Sequence, residues 1–288
     1  MYKKFPGARY IAGGTDVMVK IKNRQLNPPA LISLRSIPEL SRIEIGETTR
    51  IGAMTTVSDL ISHPELGSIF PLLVQAAKRL GSPQIRNAGT VGGNLCNCSP
   101  CADIALALLV LDARAVLKGS EGSREVPLEE FFIGPGESCL TSSEILTEFL
   151  LDKPSPFART SFMKKGRVKM DLAIASVAAL LEMDGNLCKK ARLAAGSVAP
   201  RPLRLKKVEE MLENAAISKE MINEAQKIAM ESVSPITDIR STESYRRQIV
   251  GVYVKRTVQE ILEPYQKLLR GVQGGGILEK SPPGRRRQ

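Results

Sequence analysis

The stretch over residues 84–103 (Q-I-R-N-A-G-T-V-G-G-N-L-C-N-C-S-P-C-A-D) constrains this chain more than any other. Gly89, Gly92 and Gly93 crowd into it, and the first apolar run long enough for a buried element, residues 104–111, begins just behind it. Glycine suits positions where the backbone takes φ > 0 or approaches a ligand closely, because no Cβ is in the way. Thr90, Asn94 and Ser99 supply short polar side chains, and Asp103 closes the stretch with a carboxylate. A loop of this kind aims successive backbone N–H groups at one point and makes an anion nest, with phosphate as the expected anion.

A second stretch, Ile11-Ala12-Gly13-Gly14-Thr15-Asp16, has the same pattern of a Gly pair among apolar and short polar residues. Two Gly-Gly turns suit a ligand with two phosphates better than a mononucleotide. Neither G-x-G-x-x-G nor G-x-x-x-x-G-K-[ST] occurs, so Rossmann and P-loop sites are not supported. Taken singly, each stretch reads equally well as a tight turn of a β-rich domain. Their pairing favours a site.

Composition mainly excludes. A chain of 288 residues has room for two domains, and 43% hydrophobic with 25% charged residues is ordinary for a globular protein. The run over 104–111 is too short to span a bilayer, and residues 1–10 lack the apolar core of a secretory signal. Five cysteines, three of them crowded together, do not suggest a disulfide framework. A reducing cytoplasm is the expected compartment. The net charge of +11 lies partly in Lys3-Lys4 and Arg285-Arg286-Arg287. With no Trp and no basic run interleaved with aromatics, nucleic-acid binding is not expected. The basic surface is better suited to acidic partner proteins.

Along the chain, residues 30–34 and 50–53 read as short strands, and 57–61 and 69–80 as helices. His63, the only histidine, sits in turn-like S-H-P-E and is expected at the surface. Residues 104–113 predict a buried helix, 115–118 a strand, 119–124 a hairpin turn, and 131–136 a rigid turn ending in Pro-Gly. Pro154-Ser155-Pro156 reads as a linker. Beyond it, apolar runs over 171–183 and 187–198 flank Asp184-Gly185, a strong hairpin signal. Helical periodicity follows over 208–212, 221–230 and 245–262, and from Glu263 onward Gly-Gly-Gly, Pro-Pro and an Arg triplet predict a loose tail.

Residues 10–22 and 85–103, continued by blocks at 131–137, 171–180, 191–204 and 245–256, resemble the FAD-binding medium subunit of the molybdenum hydroxylases. That family includes xanthine dehydrogenase, aerobic carbon monoxide dehydrogenase, nicotinate dehydrogenase and 4-hydroxybenzoyl-CoA reductase. The likeness covers residues 2–262. It implies an α+β fold: a two-subdomain FAD-binding domain of the PCMH/VAO type over 1–157, a C-terminal antiparallel sheet packed with helices over 158–262, and a flexible tail over 263–288. It also implies a strand and a helix ahead of the first Gly-Gly turn. A start upstream of Met1 is the expected explanation for their absence, and a lost βα unit the alternative.

The implied cofactor is FAD. Its pyrophosphate would lie against residues 12–15 and 90–94, with Asp103 accepting from sugar hydroxyls and Asp16 assisting or capping a turn. Lys164, in Phe162-x-Lys164-x-Gly166-Arg167, would reach the flavin ring, where a cation near N1 favours the anionic reduced flavin. Lys165 is a rival, because the spacing to Asp171 is one residue short of the usual pattern. The implied partners are a small subunit carrying [2Fe–2S] clusters and a large molybdopterin-binding subunit, with NAD+ or a quinone as acceptor. No catalytic residue is assigned. Cys96, Cys98 and Cys101 could ligate zinc or an iron–sulfur cluster with Cys139 or Cys188, but buried thiols are the preferred reading and no metal site is expected. The alternatives are a free-standing FAD-dependent oxidoreductase and a scaffold subunit that has lost FAD.

Overall fold

The computed structural model describes residues 5–274 except 186, with side chains described to Glu263. In the first half, β1 (Arg9–Ile11) pairs parallel with β2 (Leu31–Ser33), and α1 (Val17–Lys22) lies between them in the chain. The first Gly-Gly turn is therefore a strand-to-helix connection, where α/β units bind ligands. A five-stranded antiparallel sheet follows, built from β3 (Ile43–Glu44), β4 (Thr48–Gly52), β5 (Arg114–Gly119), β6 (Gly122–Pro127) and β9 (Ile145–Asp152) in the order β3-β4-β9-β5-β6. The long connection from β4 to β5 carries α2 (Val57–Ser62), α3 (Leu66–Ile69), α4 (Pro71–Arg79), α5 (Pro83–Ala88), α6 (Val91–Cys96) and α7 (Asp103–Val110). Between β6 and β9 lie α8 (Leu128–Phe131), β7 (Phe132–Gly134) and β8 (Glu137–Ser138).

The stretch over 84–103 is thus not a continuous loop. Ser82 caps α5, its Oγ accepting from Ile85 N at 3.3 Å, with Pro83 at the first helical position. Thr90 caps α6, its Oγ1 accepting from Gly93 N at 3.0 Å. These caps satisfy amide donors that a helix start otherwise leaves unpaired, and they place Gly92 and Gly93 inside a helical turn despite glycine's poor helix propensity.

In the second half, β10 (Ala158–Lys165), β11 (Ala175–Asp184), β12 (Leu187–Gly196) and β13 (Leu203–Arg204) form an antiparallel sheet, with β14 (Ala215–Ala216) also pairing β12. The Asp-Gly hairpin forms as expected, with Gly185 at φ 61°. Residues 171–174, expected in the strand, are instead the end of the β10–β11 connection. Helices α9 (Lys206–Leu212), α10 (Lys219–Glu231) and α11 (Glu243–Gly274) complete the chain. Helix α11 presents Val250, Val254, Val258 and Leu262, an i, i+4 stripe, to the sheet. It continues past Leu262 to Gly274, so the expected loose tail does not begin at Glu263. The rest of that tail lies outside the described residues, as do Lys3-Lys4.

The sheet of the second half is buried on both faces, which explains its nearly unbroken apolar runs. Val177, Ala179 and Leu181 join a core with α9, α10 and α11, whereas Phe162, Ala178, Leu180 and Ala194 belong to the core of the first half. Helix α7 lies at this junction, against α4, α6 and α8 on one side and β11 and β12 on the other. All eight of its residues are buried, Asp103 among them. No helix among the described residues is long and apolar enough to cross a membrane.

Candidate functional site

A cleft of about 640 Å³ opens beside the first Gly-Gly turn, within the size range of small-molecule sites. Ala12, Gly13, Gly14, Thr15 and Asp16 line one wall, Thr90, Gly92 and Gly93 another, and Ser138 of β8 with Thr141 and Glu144 of the β8–β9 connection a third. Arg9 and Lys20 add positive charge, and Lys20 Nζ donates to Asn97 Oδ1 at 2.8 Å, tying α1 to the end of α6. The guanidinium of Arg124 grips Glu144 at 2.7 and 2.9 Å, and Thr141 N donates to it at 2.9 Å. These bonds pull the carboxyl down to about 2. The third wall, which carried no sequence signal, is therefore held in place.

The two Gly-Gly segments differ in where their amides point. Gly14 has φ 78°, and a Cβ on Gly13 would lie 1.9 Å from Ala88 O. Among the described residues, no protein acceptor takes the N–H groups of Gly13, Gly14 or Thr15. In the second segment Val91 N donates to Thr55 O at 2.9 Å, Gly92 N to Ala53 O at 2.8 Å and Asn94 N to Thr90 O at 2.9 Å. With Gly93 N bound to Thr90 Oγ1, the expected second set of free N–H donors is absent. Glycine is needed at position 92 because a Cβ there would lie 2.6 Å from that of Ala53. The segment offers a side chain instead: Asn94 Oδ1 is buried with no hydrogen-bond partner.

Asp103 and Lys164, 61 residues apart, meet across the junction of the two halves. Lys164 Nζ lies 2.5 Å from Asp103 Oδ2, with the side chains 6% and 4% exposed, and also donates to Arg79 O at 3.0 Å. Burial pushes the Asp103 carboxyl up to about 6 although Lys164 opposes the shift. Asp103 Oδ1 is buried without a partner. Lys165, the rival, is exposed.

Of the other expected residues, Ile11 ends β1 and its side chain backs Gly14, and Ser99 Oγ accepts from Cys101 N at 3.2 Å. His63 follows α2, half-buried, with Nδ1 accepting from Glu65 N at 3.3 Å. All five cysteines are free thiols. Cys98 is buried with its Sγ donating to Leu95 O at 3.2 Å, and burial pushes the thiol up to about 11. Among the described residues, no group of three or more His, Cys, Asp and Glu is placed to hold a metal ion. Spacing gave no sign of Arg240, which donates to Cys101 Sγ at 3.2 Å, or of Arg246, which is buried and bonded to Ile174 O, Ser197 O and Asp238.

The expected residues Ile11, Asn94, Ser99, Asp103 and Lys164 do not themselves line the cleft. The free amides of the cleft suit phosphate, and the orphaned oxygens of Asn94 and Asp103 and the buried Lys164 cation suit hydroxyls and a flavin ring. Comparison with known proteins agrees. Residues 1–153 match the model of the FAD binding domain in molybdopterin dehydrogenase, and residues 160–261 that of the CO dehydrogenase flavoprotein C-terminal domain. The chain is 34% identical to the nicotinate dehydrogenase FAD-subunit of Eubacterium barkeri over 91% of its own length and 90% of the relative's. It is 34% identical to the carbon monoxide dehydrogenase medium chain of Hydrogenophaga pseudoflava, over 87% and 88%. The solved carbon monoxide dehydrogenase of that organism superposes with a TM-score of 0.87 at 33% identity, covering 90% of each chain. The chain therefore belongs to the FAD-binding oxidoreductase subunits of the molybdenum hydroxylase family.

Proposed function

We propose that this chain is the electron-transfer subunit of a heteromeric molybdenum hydroxylase. It takes electrons from [2Fe–2S] clusters on a small partner, which is fed by a molybdopterin centre on a large one, and passes them to NAD+, a quinone or another acceptor. Relatives named as a medium chain and as a subunit of a dehydrogenase complex support a multi-chain assembly. When bound, FAD supplies two-electron storage and release. Five free thiols suit a cytoplasmic location.

The observation that carries this reading is the first Gly-Gly turn, whose N–H groups stay free beside the cleft. Gly13, Gly14 and Thr15 hold the pyrophosphate, with Asp16 at the edge of the turn. Thr90, Gly92 and Gly93 shape the opposite wall, while Asn94 Oδ1 and Asp103 Oδ1 accept from hydroxyls. Ile11 and Ser99 brace the two segments. Lys164, fixed by Asp103 and Arg79, places positive charge beside the ring and favours its reduced anionic form. Residues 1–157 act as the FAD-binding domain, and 158–262 cover it. Purifying the native assembly and measuring flavin, iron and molybdenum tests the proposal. Stoichiometric amounts of all three are expected, and a colourless assembly overturns it.

A further inference from the structure

Two connections on the second half carry large apolar side chains that no other described residue covers. In the β10–β11 connection Val168, Met170 and Leu172 are 68%, 57% and 57% exposed. In the connection from α10 to α11 Ile236 and Ile239 are 67% and 94% exposed. The connections are neighbours. Arg246 bonds the carbonyl of Ile174 at the end of one and the carboxylate of Asp238 in the other, and Arg240 and Asp238 lie close enough to Arg167 to act on its charge. Isolated exposed apolar residues need no explanation, but a cluster of large ones marks an interaction surface.

Charge and place narrow the occupant. Arg167 is paired with Asp171, and Arg240 and Arg246 with Asp238. Lys165 and Lys169 make no ion pair among the described residues, and both are exposed, leaving the rim positive. The β10–β11 connection begins after Lys165, the neighbour of Lys164, and Arg240 touches Cys101, two residues before Asp103. The patch thus adjoins the Lys164–Asp103 pair, beside which the proposed function puts the flavin ring. Arg246 is itself 1% exposed and bonds Ser197 O as well, so both connections are anchored on one buried side chain.

We propose that this patch is the docking surface for the iron–sulfur partner, a protein face with an apolar centre and an acidic rim. The inference rests on the proposed function. An apolar centre excludes water and a polar rim sets register, the arrangement usual for specific interfaces. Complementary charge speeds encounter and makes it salt-dependent.

The test uses the full chain produced with its native partners and isolated through a tag on this chain. Wild type is expected to retain iron at low salt and lose it as salt rises. Met170→Asp with Ile239→Asp is expected to lower the retained iron about tenfold or more while FAD content and melting temperature hold, and Lys169→Glu to move the loss of iron to lower salt. Iron held at the wild-type level in the double variant overturns the proposal. So does a double variant that keeps its iron but elutes at a smaller mass than wild type, which would make the patch a contact between copies. If the double variant fails to fold, Lys169→Glu decides: unchanged salt dependence overturns the proposal. Wild type that carries FAD yet no iron-bearing partner under any condition overturns the proposed function itself.

Discussion

The two Gly-Gly segments look alike in sequence and do different work. At residues 13–14 the pair opens the backbone: one glycine takes a left-handed conformation, and the amides around it stay free beside a cleft. At residues 92–93 the pair closes the backbone: the amides of residues 91–94 are spent on the protein, and a missing Cβ lets α6 press against the end of β4. The first segment binds by what its main chain leaves unpaired. The second supports the site by close packing and contributes side chains, Asn94 within it and Asp103 at its end.

Four substitutions probe that difference, taken from the largest effect down. Lys164→Met leaves the Asp103 carboxylate buried without its cation and is expected to cost about 3–5 kcal/mol at neutral pH. Burial already raises Asp103 above its unfolded value, to about 6. A raised carboxyl contributes stability that is present at low pH and lost as pH rises through the folded value. Urea unfolding of this variant should therefore show a smaller deficit near pH 5 than near pH 8, and an equal deficit at both would contradict the assignment. Gly92→Ala forces a methyl group against Ala53 and is expected to cost about 1–3 kcal/mol, with the folded fraction keeping its FAD.

Gly14→Ala should reverse that pattern. Its left-handed φ costs about 1–2 kcal/mol with a side chain present, yet the larger signal is a loss of FAD affinity of about tenfold or more. If Gly92→Ala strips flavin from folded protein while Gly14→Ala does not, the two roles have been assigned the wrong way round. Glu144→Gln is expected to have the smallest effect. Hydrogen bonds from Arg124 hold this carboxyl at about 2, below its ordinary 4.5, so its contribution is present above that ordinary value and lost as pH falls through about 2. The variant should therefore show a small deficit at neutral pH that closes as pH falls through about 2, which flattens the acid limb of the stability profile.

Sequence carried the elements that local chemistry determines. The Asp184-Gly185 hairpin, the helix expected over 104–113 and formed over Asp103–Val110, and the helices after residue 206 all follow from turn residues and periodicity. The short helices α5 and α6 were obscured by glycines, although Ser82-Pro83 and Thr90 are ordinary helix-start residues. Clusters of glycine outweigh a cap when a stretch is read alone. Lys164 and Asp103 could each be singled out by resemblance, but their ion pair depends on how β10 packs against α4 and α7, which no local spacing encodes. The Arg124–Glu144 wall and the Arg246 anchor were invisible for the same reason.

The sheet that serves both interiors also bears on inheritance. Phe162, Ala178, Leu180 and Ala194 fill one compartment while alternate neighbours on the same strands fill the other. A recombination breakpoint at the proline-rich joint near residue 155 would leave each fragment with an apolar wall facing water. A second half taken from a relative must match the α7 of the first, so the two halves are constrained to change together.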